Sequence, residues 1–252
     1  MKFDNRRSGG FFAAKGAVAQ ENPLAVNRSV AERLAFIRKV YGWMFAGIAM
    51  TVIGTALSVK MGWAQSLAFS GIFVHILLMV AWIGSAYMVQ KVRHVQTWNV
   101  VAFAGYALFT GFVISDIVFV AMLVATNNGA AAGTYVIQAM VLTLIAFGSL
   151  SAYAFFTKRD FSFLRGMLTV GLIVMLVAIV ASFFIQSSAL HLIISIFGVL
   201  LFAGYTLYDT QKVLRTYPDG EHVAGAMTLF LDFVLMFVYI LNLILSLASG
   251  GD

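Results

Sequence analysis

The chain contains no cysteine, and only 10% of its 252 residues are charged. Without cysteine there is no disulfide scaffold, no thiolate metal site and no cysteine nucleophile. Ordinary soluble domains are about 25% charged, so this chain has too little charge to coat a surface facing water. Its apolar fraction is 62% before the 22 glycines are counted, which excludes a disordered chain as well. What remains is a polytopic membrane protein. Further absences narrow the class. No Gly-x-Ser-x-Gly or His-Glu-x-x-His motif occurs, and no enzyme is expected. The last apolar run, 225–248, holds no lysine, which excludes a Schiff-base photoreceptor. His75, His94, His191 and His222 are not spaced as a metal site, and no resident cofactor is expected.

Seven apolar runs are long enough to cross a ~30 Å hydrocarbon core, which takes about 20 residues. Their limits are 42–60, 67–88, 98–121, 134–156, 164–186, 190–211 and 225–248. They are too long for transmembrane strands and do not alternate. The fold class expected is therefore an all-α, seven-helix transmembrane bundle over 41–252. Residues 1–40 differ: they read as a basic cytoplasmic tail. From Ser29 to Tyr41 the tail becomes helical, with Leu34, Ile37, Val40 and Tyr41 on one face. This part is expected as a short amphipathic helix on the membrane surface. No short apolar run with a small-residue cleavage site stands in the tail.

The connections give an orientation. The tail holds eight Lys and Arg, and Lys60 stands alone after the first run. Lys91 and Arg93 follow the second run, Lys158, Arg159 and Arg165 the fourth, and Lys212 and Arg215 the sixth. Alternate segments hold fifteen basic residues against one. The positive-inside rule then places the N-terminus in the cytoplasm and the C-terminus outside. The net charge of +6 is thereby topology and attraction to lipid headgroups, not nucleic-acid binding.

A charge near the bilayer centre costs at least about 2.5–3.5 kcal/mol, so buried acids need a reason. Asp116, Asp209 and Asp232 fall inside the runs. Asp209 and Asp232 flank the last cytoplasmic turn at similar distances, so an antiparallel hairpin brings them to one depth. Two carboxylates at one level in a medium of low dielectric cannot both ionise cheaply, and the pair is expected to share a proton. Such a pair also offers oxygens to a hard cation such as calcium. For Asp209 an alternative stands: a helix cap at the interface, or a pair with Lys212. Arg93 is either a latch that swings onto the acids or a topology signal. Asp116 is either the outer mouth of a pathway or an interfacial residue among headgroups. His75 is either a proton relay or a bond to a neighbouring helix. Small residues four apart, such as Gly54 and Ser58, Ala107 and Gly111, or Gly148 and Ala152, permit close helix contact.

Several segments together resemble the Bax inhibitor (transmembrane Bax inhibitor motif) family, in its bacterial form, from about Ile37 to Leu247. They are Ile37-Arg38-Lys39-Val40-Tyr41-Gly42-Trp43-Met44, Thr110-Gly111, Thr157-Lys158-Arg159-Asp160-Phe161-Ser162, Tyr208-Asp209 and Leu231-Asp232-Phe233. The resemblance implies seven helices with the last at the centre. It implies a pH-sensitive calcium leak, with Asp209 and Asp232 as sensor, gate and transient calcium ligands, and Arg93 as latch. One position departs: where many relatives carry proline after the serine of the third span, this chain has Asp116. The expected setting is a bacterial inner membrane, with lipid and calcium as partners.

Two readings compete with conduction. In one, the protein regulates stress signalling or proteolysis through a membrane-protein partner, with the tail as its working part. In the other, the two aspartates are those of an intramembrane aspartyl protease, a class the flanking motifs match poorly.

Overall fold

The computed structural model describes residues 30–93, 95, 97–185, 187–218 and 220–249. The tail up to residue 29, His94 and Asp219 lie outside the described residues. The described chain is helical: α1 Val30–Lys60, α2 Trp63–Ala68, α3 Ile72–Lys91, α4 Trp98–Val113, α5 Ser115–Asn127, α6 Thr134–Phe156, α7 Leu164–Ser182, α8 Ser188–Thr216 and α9 His222–Ser249. With α4 and α5 taken as one span, seven helical segments are long and apolar enough to cross a membrane. Large apolar side chains point outward, among them Phe73 at 83% exposure and Phe184 at 81%. Rings so exposed suit lipid, where outward apolar surface costs nothing.

The last helix is the axis of the bundle. α9 packs against α8, α1, α6, α5 and α4. Its Phe230 ring meets Phe103 and Tyr106 edge-on at 5.5 and 6.2 Å, and its Phe233 meets Phe147 at 5.4 Å. The outermost helices, α3 and α7, are anchored mainly through single neighbours, α4 and α8.

The closest pairing joins α1 to α4. Gly111 lies so near the Thr51 carbonyl, and Gly54 so near that of Leu108, that a Cβ at either would collide with backbone. This approach lets Thr51 Oγ1 donate to the Ala107 carbonyl at 3.0 Å and Thr55 Oγ1 to that of Gly111 at 2.9 Å. Ser58 and Ser115 hydroxyls meet at 2.7 Å further along. Small-residue spacing is not sufficient for such contact. Gly148 has open space where a Cβ would stand, and with Ala152 it lines a groove instead.

Three boundaries differ from those expected. Residues 30–41, anticipated as a separate surface helix, are the first turns of α1, and Phe36, Ile37, Val40 and Met44 are buried in the core. Their apolar stripe continues in register past Tyr41, so nothing stops the helix. The second span begins at Ile72, because Gly62, at φ 78°, and the turn before Gly71 detach α2 from both neighbours. The third span breaks at Ile114 and runs on to Asn127. There Ser115 Oγ donates to the Phe112 carbonyl at 2.7 Å, competing with the helical ladder.

Candidate functional site

The α8–α9 hairpin brings its two acids together as the spacing expects. Asp209 and Asp232 are 7% and 4% exposed, and both line one cavity of about 750 Å³. Tyr205, Lys212, Glu221 and Arg93 contribute to the same wall. The hairpin is braced by the Tyr217 and Thr228 hydroxyls, 3.0 Å apart. Asp209 is on α8 facing α9 because residues one turn apart, Tyr205, Asp209 and Lys212, share that stripe.

The two carboxylates are differently satisfied. Asp209 Oδ1 accepts from Lys212 Nζ at 3.3 Å. Asp232 lies in the field of Asp209 and Lys212, yet its Oδ2 is buried with no hydrogen-bond partner among the described residues. An orphaned carboxylate oxygen in such a place is costly unless a proton or a cation joins it. Arg93 follows α3, and its carbonyl accepts from Asn99 Nδ2 at 3.3 Å. It lines the same cavity.

Asp116 is not part of this cavity. It pairs with His75, Nε2 to Oδ2 at 3.2 Å, and both are half-buried. The two residues weighed separately in the sequence are thus one link between α3 and α5. Ser70 Oγ approaches the other ring nitrogen at 3.5 Å.

Gln211 is a residue whose importance the sequence did not reveal. It is buried on the side of α8 away from the cavity. Its Oε1 accepts the Phe161 N–H at 3.0 Å, and its Nε2 donates to the Arg159 and Ala154 carbonyls at 2.7 and 3.5 Å. The loop at 157–162 is thereby fastened to the helix that carries Asp209. Within it, Asp160 accepts from the Ser162 N–H at 3.0 Å and the Ser162 hydroxyl at 2.9 Å, with Arg215 at 3.4 Å. These bonds, the backbone one foremost, and then Arg215 hold the Asp160 carboxyl below its ordinary range. The signal available was a glutamine inside an apolar run, two residues after Asp209.

Among the described residues no cluster of three or more His, Asp, Glu or Cys is arranged to hold a metal ion. Calcium takes about six to eight oxygens.

Fold and cavity together define a multi-pass helical membrane protein with a buried acidic pair in its last hairpin. The family described as "Inhibitor of apoptosis-promoting Bax1" matches residues 33–249. The chain belongs to that family. It is 31% identical over 223 residues to the uncharacterized protein Cj0236c of Campylobacter jejuni, covering 88% of this chain and 93% of the relative. It is 29% identical over 216 residues to a Golgi anti-apoptotic protein of vaccinia virus (86% and 87% covered). Protein lifeguard 4 of mouse is 27% identical over 215 residues (85% and 86% covered).

Proposed function

We propose that the protein is a pH-sensitive calcium leak, not an enzyme, in which Asp209 and Asp232 form the gate. One observation carries this reading: two buried carboxylates line a single cavity, and one of them has an oxygen without a hydrogen-bond partner among the described residues. On this reading the cavity is the cytoplasmic end of the pathway, the N-terminus is inside, and the setting is a bacterial inner membrane. Calcium is cargo, bound in transit by Asp209 and Asp232. A shared proton competes with it, because protonation removes the charge that draws a dication in. Lys212 competes too, since its ammonium already occupies Asp209 Oδ1. Arg93 lines the same cavity, and on this reading it serves as a latch. Asp116, tied to His75, takes the role of an outer vestibule residue.

The test is calcium flux into liposomes across a pH series, wild type beside Asp209→Asn and Asp232→Asn. Each variant should flatten the pH response. Flux and pH profile unchanged in both would end the proposal. The viral relative is by name an anti-apoptotic protein, and a second reading stands beside conduction: the protein regulates stress responses or proteolysis through a membrane-protein partner without conducting ions. Deleting residues 1–29 separates the two: it abolishes function under the second reading and spares flux under the first.

A further inference from the structure

A second cavity, of about 420 Å³, lies between α1, α5, α6 and α9. That is within the roughly 300–1,000 Å³ of small-ligand sites. Its walls are hydrocarbon: Ile48, Val52, Ala56 and Val59 on α1 face Met140 and Phe237. The two hydroxyls in the wall, Thr51 and Thr55, are committed to the Ala107 and Gly111 carbonyls. An occupant therefore meets no free donor along the walls. At the end sits Lys60, the last residue of α1. It is exposed, and among the described residues no carboxylate pairs with it. It is also the single basic residue on its side of the alternating charge pattern.

From Ile48 to Lys60 the slot follows α1 for twelve residues, ~18 Å at about 1.5 Å per residue. One leaflet of hydrocarbon is ~15 Å deep, half of a ~30 Å core. A slot one leaflet deep, apolar throughout and ending in an unpaired ammonium matches one lipid. We propose that it seats an acyl chain of an anionic glycerophospholipid, whose phosphate rests on Lys60. A peptide does not fit, because its backbone groups would find no partners on these walls. The inner end of the chain then packs against Phe233 and Phe237, on the helix that carries Asp232. The inference is independent of ion conduction.

The full-length protein is incubated in detergent with equal phosphatidylglycerol and phosphatidylcholine of identical chains, and bound lipid is read by native mass spectrometry. Wild type should favour phosphatidylglycerol by about fivefold, the effect of one basic residue on an anionic lipid. Lys60→Gln should bring the ratio to about one and leave phosphatidylcholine retention unchanged. Ala56→Trp, which fills the slot, should release both lipids. Lys60→Gln disturbs no packed side chain, so its result stands even where the bulky variant fails to fold. Equal retention by wild type, a preference that survives Lys60→Gln, or both lipids held by folded Ala56→Trp would each overturn the proposal.

Discussion

Gln211→Leu should free the loop at 157–162 from the bundle. Leucine keeps the volume and removes three hydrogen bonds, to Phe161 N, Arg159 O and Ala154 O. The losses are unequal. The Arg159 carbonyl is on an exposed residue and exchanges its partner for water, whereas Phe161 is 8% exposed. Leaving a buried N–H unpaired costs about 1–3 kcal/mol. Bonds inside membrane proteins average about 0.6 kcal/mol each. Together these place the loss near 2–3 kcal/mol for docking of the loop, or about 30- to 150-fold in its open population. Lys158 and Arg159 lie within this loop, so trypsin reads the opening directly. Cleavage of protein in nanodiscs should accelerate by that factor, provided reclosing outpaces cleavage. Gln211→Glu should fall between, since it keeps the acceptor for Phe161 N and loses the donor. A Gln211→Leu protein cut within twofold of the wild-type rate would refute the clamp.

Three further outcomes follow from the geometry. Gly111→Val should lower the thermal midpoint sharply, because a side chain there meets the Thr51 backbone, whereas Gly148→Ala should leave it within a degree or two, having open space. In a double-mutant cycle of unfolding, His75→Ala and Asp116→Asn should show a coupling of about 0.5–1 kcal/mol, and additive effects would deny the pair. Asp160 is ionised more readily in the folded loop than free, so it stabilises the loop fully above its ordinary pKa of about 3.9. That support is lost as pH falls through the lower folded value. Hydrogen exchange at the Ser162 amide should lose protection over that acid window in wild type and show no such step in Asp160→Asn.

The spans were legible because lipid enforces a single rule: backbone groups must bond within the segment, so about 20 apolar residues in a row announce a helix. The Asp209–Asp232 juxtaposition was legible for a related reason, since a short turn between antiparallel helices converts equal spacing into equal depth. Pairings between elements distant in the chain were not. His75 and Asp116 are each unremarkable in their own runs, and only the tertiary fold brings their side chains within 3.2 Å. The same holds for Gln211, whose partners lie about fifty residues earlier. The break at Ile114 was hidden because its cause is a serine hydroxyl, a residue that many unbroken membrane helices also contain.

Lys212 gives the conduction reading its sharpest consequence. The cavity wall carries Glu221 beside the Asp209–Asp232 pair, and an ammonium is bonded to one acid of that pair. A dication entering must take Asp209 from Lys212 before both acids can serve it. Lys212→Gln removes that competitor and keeps the length of the side chain near its original. Flux should then rise at a given pH, and calcium should act at lower concentration, because one repulsive charge has left the cavity. Lys212→Arg retains the charge and should stay close to wild type. If Lys212→Gln conducted less than wild type while folding normally, the ammonium would be holding the pathway open, and competition for Asp209 would be the wrong description of the gate.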